Sequence, residues 1–207
     1  MSQKYGYVHP AKTAGSELRL LFDSTLNMVP SLGRGAIEHT SLETQYNKDV
    51  IWIGSVRNPY TRVYSIYNFF YVNDHDQEDF TGSFDQFCKM LPALKQEEVG
   101  IWRLQTSFDT LSLDGEVGVD HVIRFEHLNE DIEKLSKAVC TPLKLSAPKH
   151  IYTYSFPNGD TVSKRVYKNS NKAFDYSPTN AHLTRESRDI INELYAKDFE
   201  YFGYDKI

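Results

Sequence analysis

A chain of 207 residues with 40% hydrophobic and 25% charged side chains is long enough to bury one substantial core, and it is neither disordered nor fibrous in composition. A formal net charge of -5 argues against wholesale nucleic-acid binding, which wants a basic domain. The two cysteines, Cys88 and Cys140, lie far apart and outside any CxxC pattern, so two reduced, partly buried thiols are expected rather than a disulfide framework or a zinc site.

No apolar run reaches membrane-spanning length, and Met1-Ser2-Gln3-Lys4 leads straight into a strand-like segment without a signal-peptide pattern. A single domain over residues 1–207, soluble and cytoplasmic, is the expectation.

In chain order, Tyr5 to His9 reads as a first strand, broken by Pro10 to Lys12. Thr13 to Met28 reads as a helix, with Leu18, Leu21, Phe22 and Leu26 at helical spacing. Gly33 and Gly35 mark a turn before a short strand at Ala36 to Thr40. Val50 to Val56 is short, apolar and β-branched, a buried strand. Pro59 suits the first turn of a helix running through Val63, Ile66, Tyr67 and Phe70.

Asn73 to Asp85 is polar and acidic, a surface loop. Helices are expected at Phe84 to Leu91, Glu97 to Leu111 and Leu128 to Val139, and a strand at Asp120 to Phe125. Ile151 to Phe156 and Thr161 to Tyr167 flank Pro157-Asn158-Gly159-Asp160, and Asn-Gly accepts the positive φ of a tight hairpin turn. Thr184 to Phe202 closes the chain as a helix, capped by Thr184 and stopped by Gly203. Strands alternating with helices predict a parallel sheet with right-handed crossovers, and ligands in such sheets bind beyond the strands' carboxyl ends.

Two loops fall at that edge. Lys12-Thr13-Ala14-Gly15-Ser16 follows a strand and opens a helix, whose first N–H groups receive anions. Lys12 adds charge, Thr13 and Ser16 add hydroxyls, and Gly15 permits close approach of backbone to ligand. A capped helix after a tight turn explains the same residues without a ligand. In the second loop, Arg57 at a strand end and Ser65 two helical turns past Pro59 can converge on one phosphate, the guanidinium offering a planar fork. The alternative is a structural ion pair. Arg62 competes as a cation, but its place within the helix points to a solvated face. Two anion loops on one edge make a nucleotide-type donor with phosphates at both ends the leading idea.

Together the loops resemble the carbohydrate sulfotransferases that use 3′-phosphoadenosine-5′-phosphosulfate (PAPS). Val8 to Leu18 is similar to their 5′-phosphosulfate loop, H-x-P-K-T-A-G-[TS]-[ST]. Val56-Arg57-Asn58-Pro59-Tyr60-Thr61-Arg62-Val63-Tyr64-Ser65-Ile66-Tyr67 matches their 3′-phosphate motif, V-R-[DN]-P-x-x-R-x-x-S-x-Y, throughout. Gln105, in a helix before a strand, Val122 to Leu128, and Leu194 to Tyr204 echo later segments in the same order.

The resemblance implies an α/β, P-loop NTPase-like three-layer fold with a central, mainly parallel sheet, here followed by a C-terminal β-hairpin and helix. It implies a PAPS-dependent sulfotransferase acting on a hydroxyl, of a sugar, with adenosine 3′,5′-bisphosphate as the nucleotide product. Lys12, Thr13, Ala14, Gly15 and Ser16 would hold the 5′-phosphosulfate and Arg57 and Ser65 the 3′-phosphate. Lys168 and Asn169, within Lys168-Asn169-Ser170, would close over the nucleotide. Two departures stand out: Ala11 replaces a usual Pro, which would loosen the loop, and Glu17 replaces a usual Ser or Thr and is expected to point away from the sulfate.

Sulfuryl transfer needs in-line geometry and stabilisation of spreading negative charge. Lys12 is the expected catalytic cation beside the leaving phosphate oxygen. Of the seven histidines, His39, in Glu38-His39-Thr40, is the candidate general base; a polar loop histidine without a role is the alternative. His9 reads as packing under the loop, and Glu126 and His127 as caps of a helix start. No metal is required, because Lys and Arg supply the charge.

The basic run Lys144, Lys149, Lys164, Arg165, Lys168 and Lys172 borders a cleft for an anion or forms a solvated hairpin face. Two other functions fit less of the sequence. A P-loop-like small-molecule kinase would want a Walker A motif, GxxxxGK[ST], and this chain has none. A non-catalytic nucleotide- or glycan-binding member of the same fold would be supported by Ala11 and Glu17.

Overall fold

The computed structural model describes residues 2–29, 40–68, 82–96, 101–145, 150–155, 161–166 and 183–207. Strands β1 (Lys4–Val8), β2 (Val50–Val56) and β5 (His121–Arg124) form a parallel sheet in the order β1-β2-β5, with Tyr7 opposite Ile53 and Ile53 opposite His121. Nearly every residue of β2 is buried, on both faces, because helices cover the sheet from either side. Its run of Val, Ile and Trp suits that position and would be costly on a half-solvated strand.

On one face, α1 (Gly15–Thr25) lays Leu18, Leu21 and Phe22 on Tyr5, Tyr7, Ile53 and Ile123, and α7 (Leu128–Ala138) adds Ile132 and Leu135. On the other, Val8, Val50, Trp52 and Val56 meet Leu42 of α2 (Leu42–Gln45) and Leu111 of α6 (Ser107–Leu111). A third cluster joins Val63 and Ile66 of α3 (Pro59–Ile66), Phe87 and Leu91 of α4 (Phe84–Leu94), Ile191 of α8 (Arg185–Leu194) and Phe199 of α9 (Ala196–Phe202). The mixed α/β expectation is met with a parallel sheet of three strands among the described residues. After α1 the chain returns to the outer edge of β1, where Tyr5 N donates to Asn27 O at 3.0 Å and Val29 N to Tyr5 O at 2.8 Å.

Several boundaries differ from the sequence expectation. Residues 101–111 form two helices, α5 (Ile101–Leu104) and α6, because Thr106 starts a new one: its hydroxyl accepts from Asp109 N at 2.9 Å. Gln105 therefore sits in the link between helices rather than within one. The closing helix is likewise two, α8 and α9, divided at Tyr195, whose buried hydroxyl donates to Leu104 O at 3.3 Å. Thr184 does cap α8 and Gly203 does end α9 in the left-handed conformation.

Asp85 lies in the first turn of α4, behind a Ser83–Gln86 capping box, and not in a loop. Helix α1 begins at Gly15 and ends at Thr25, inside the expected span. A hairpin of β3 (Ser112–Leu113) and β4 (Glu116–Val117) was not foreseen. Asp114 and Gly115 both take positive φ, 52° and 84°, as a primed two-residue turn requires.

The later hairpin is present as β6 (His150–Ser155) and β7 (Thr161–Val166), antiparallel. The strand expected at Ala36 to Thr40 falls outside the described residues except for Thr40, as do residues 69–81 of the helix end and acidic loop. Of the basic run, Lys149, Lys168 and Lys172 lie outside them as well. Cys88 is buried and Cys140 exposed, both as free thiols, and burial pushes the Cys88 thiol up to about 12. Among the described residues no helix is long and apolar enough to cross a membrane.

Candidate functional site

Because β1 and β2 are parallel neighbours, the chain leaving Val8 and the chain leaving Val56 emerge side by side. The two loops touch. Arg57 Nη1 donates to Lys12 O at 3.4 Å, and Arg57 Nε donates to Thr61 Oγ1 at 3.0 Å. The Arg57 guanidinium lies 4.0 Å from the centre of the Phe125 ring, a cation–π seat that fixes its plane. Arg57 and Ser65 are both buried, at 5% and 6% exposure, on the same β2–α3 unit.

In the first loop Lys12 and Ala14 take left-handed backbone, with φ of 68° and 69°. Side chains other than glycine rarely adopt it. Left-handed residues interleaved with ordinary ones curl successive N–H groups into a concavity that suits an anion. Ala14 heads α1 with no side-chain cap, so no capping side chain takes up the first N–H groups of the helix beside that concavity. Ser16 is exposed in the same turn and can add its hydroxyl.

Lys12 is half-buried, and its pKa falls to about 7, first through desolvation and then through the nearby Arg57 charge. Two cations held close together and partly out of water raise the local positive potential, which suits an anion.

The structure refines the expectations about this loop and its neighbours. The Thr13 hydroxyl does not face the concavity. It is fully buried, donates to Pro10 O at 2.9 Å and lies 2.9 Å from Ser55 Oγ, which lies 2.7 Å from Tyr7 OH. With its proton on Pro10, Thr13 accepts from Ser55, and Ser55 accepts from Tyr7. Thr13 can therefore offer an anion its backbone N–H alone.

Gly15 also serves a close approach within the protein. A Cβ there would meet His9 Cε1 at 2.0 Å, so the glycine makes room for the imidazole. His9 is the packing residue anticipated, buried, stacked on Tyr7 with centroids 4.9 Å apart, its Nδ1 3.1 Å from Pro10 O.

Arg62 is not on a solvated face. It is fully buried, Nε donating to Ala11 O at 2.9 Å and Nη2 to Gln105 O at 2.6 Å. Pro59, Arg62, Val63 and Ile66 follow the i, i+3, i+4, i+7 pattern of the buried face of α3, a signal present in the sequence. Ala11 is itself buried and held through its carbonyl, so the substitution for Pro does not leave this part of the loop untethered.

Glu126 and His127 are not caps by side chain. Glu126 accepts from Asn58 N at 2.9 Å through Oε1 and from Tyr204 OH at 2.9 Å through Oε2, tying the second loop to the C-terminus. His127 heads α7 without a side-chain cap and contacts Glu130 at 3.2 Å. Glu17 sits half-buried in the first turn of α1.

Sequence reasoning missed the Tyr7–Ser55–Thr13 chain, Phe125 beneath Arg57, and Asp198. Asp198 accepts from Ser107 N and Phe108 N, each at 2.8 Å. His39, Lys168 and Asn169 lie outside the described residues.

Comparison with known families adds one finding. The model of the sulfotransferase family matches residues 10–205, which include both loops and the C-terminal helices. The chain belongs to the sulfotransferase family. No curated protein and no solved structure matches the chain significantly. Membership implies a transferase that moves a sulfuryl group from a sulfate donor to a hydroxyl acceptor. In this sulfotransferase the matched span holds both the Lys12 loop and the Arg57 loop.

Proposed function

We propose that this sulfotransferase takes its sulfuryl group from PAPS and delivers it to a carbohydrate hydroxyl, on a P-loop-like three-layer α/β domain. One observation carries the reading: Lys12 and Arg57 share the carboxyl edge of two adjacent parallel strands, 3.4 Å apart from guanidinium nitrogen to carbonyl oxygen. The residues present fit a donor charged at both ends. The head of α1 and the concave loop suit the 5′-phosphosulfate, and the guanidinium seated on Phe125, with Ser65 on the following helix, suits the 3′-phosphate.

In this account Lys12 places its ammonium against the oxygen that bridges phosphate and sulfate, where negative charge grows as the bond breaks. The N–H groups of Thr13, Ala14, Gly15 and Ser16 orient the same group for in-line attack. Arg57 and Ser65 hold the far phosphate and so fix the nucleotide's register. Lys168 and Asn169, outside the described residues, are assigned to the nucleotide by the resemblance alone. His39 takes the acceptor's proton as the hydroxyl attacks. The carbohydrate class rests on the likeness of both loops to carbohydrate sulfotransferases.

The test is turnover. Purified protein is given PAPS or magnesium-ATP with a panel of glycans and small alcohols, and products are weighed by mass spectrometry. A sulfate-sized gain on a glycan with PAPS alone is expected, with turnover lost in Lys12→Ala and reduced in His39→Ala. A phosphate-sized gain from ATP would replace the reading with the kinase one. Donor binding without any transfer would leave a binding protein.

A further inference from the structure

We infer that Arg62 is the positioning residue that turns the 5′-anion loop toward its ligand, through the carbonyl of Ala11, without touching the ligand itself. The inference rests on the donor reading above and adds the device that prepares the site.

Three successive carbonyls of the loop are held from within the protein. Pro10 O receives the Thr13 hydroxyl at 2.9 Å, Ala11 O receives Arg62 Nε at 2.9 Å, and Lys12 O receives Arg57 Nη1 at 3.4 Å. In a trans peptide the C=O and N–H vectors are antiparallel. Holding these three oxygens inward therefore turns the N–H groups of Ala11, Lys12 and Thr13 outward. The left-handed backbone of Lys12 and Ala14, which costs energy in residues with a Cβ, persists because the surrounding bonds impose it.

Arg62 is the central grip, since it joins the middle carbonyl of the three to α3 and, beyond it, to the link between α5 and α6. Its other donor, Nη2, holds Gln105 O at 2.6 Å, in the link between α5 and α6. That link is fixed in turn from the C-terminus: Tyr195 OH bonds Leu104 O, and Asp198 caps Ser107 and Phe108. Asp198 is also a countercharge to Arg62, and the Tyr195 ring centre lies 5.9 Å from its guanidinium carbon. The side chain is thus a strut between the α5–α6 link and the loop, planar and with donors in a fixed fork, a role a lysine cannot reproduce.

The experiment measures the two ends of the nucleotide separately. Wild type and Arg62→Lys are titrated with adenosine 5′-monophosphate and with adenosine 3′-monophosphate. The brace predicts that Arg62→Lys weakens the 5′ ligand at least tenfold while the 3′ ligand stays within twofold. Equal affinities in wild type and variant would overturn it. An equal loss for both ligands in a folded variant would also overturn it, since general loosening does not choose one end.

Should Arg62→Lys not fold, the double variant Arg62→Gln with Asp198→Asn, which leaves no lone buried charge, takes its place with the same criteria. In wild type itself the Arg62 Nε–H resonance is expected to resist solvent exchange, and rapid exchange would refute the grip. Failure of the wild type to bind either nucleotide would instead overturn the donor reading, leaving the exchange measurement to judge the strut.

Discussion

Lys12 gives the sharpest prediction, because its ammonium must be charged to hold an anion and the fold makes that charge costly. Burial, with Arg57 close by, lowers its pKa to about 7. In the free protein the protonated fraction falls from about nine-tenths at pH 6 to about one-hundredth at pH 9. A charge pair about 4 Å apart at an effective dielectric of about 20 is worth about 4 kcal/mol. Solvent at the open side of a half-buried lysine removes part of it, leaving about 2.7 kcal/mol, or roughly 100-fold in affinity.

Wild type should therefore bind adenosine 3′,5′-bisphosphate best near pH 7, where about half of Lys12 is charged, and lose roughly 25-fold by pH 9, approaching Lys12→Met, which is weak and flat over that range. Below about pH 6 affinity declines again as the ligand's phosphates protonate. Lys12→Arg should abolish the alkaline decline. Stability runs the other way. The folded pKa lies below the unfolded value of 10.5, so the unfolded chain binds the extra proton between about 7 and 10.5. The ligand-free protein should gain stability as pH rises through that window, and Lys12→Met should erase the gain. Calorimetry across pH reads the first effect and thermal melts the second. A wild-type affinity unchanged between pH 7 and pH 9 would refute the reasoning.

Three further substitutions test the supports of the site. Gly15→Ala drives a Cβ to 2.0 Å from the buried His9 ring and should cost about 1–3 kcal/mol, several degrees of melting temperature, partly recovered in the double variant with His9→Ala. Ser55→Ala leaves the buried Tyr7 hydroxyl without its acceptor and should cost about 1–3 kcal/mol in a denaturant titration, while Ser55→Thr should cost less. Asp131, gripped twice by Arg124 at 2.9 Å, has a carboxyl held well below the usual range, so its stabilisation is present above about pH 4 and is lost as pH falls. Asp131→Asn should lower stability at pH 7 and flatten the acid limb, and an unchanged limb would show that the pair does not govern it.

Sheet strands and the site's two loops could be read from the chain because their signals are local. Val50 to Val56 is an unbroken apolar β-branched run, and Pro59 marks a helix start whatever lies beyond it. The side-chain directions could not, because they depend on partners far along the sequence. Whether Thr13 faces a ligand or the interior is decided by Ser55, 42 residues away. The break at Tyr195 is made where its hydroxyl reaches Leu104, 91 residues back. Arg62 is the instructive case. Its place within the helix points to a solvated face, although its spacing with Val63 and Ile66 marks the inner face of α3, and buried carbonyl acceptors with a countercharge at Asp198 hold it inside. The Asp114-Gly115 turn was legible by its residues and simply brief, between strands of two residues each.

The account's central claim is that the Lys12 and Arg57 loops together hold one nucleotide charged at both ends. Isothermal titration of adenosine 3′,5′-bisphosphate into the folded protein at pH 7 tests it most directly. Saturable one-site binding, abolished in Lys12→Ala and in Arg57→Ala, is predicted. No binding to folded wild type, or binding indifferent to both substitutions, would contradict it.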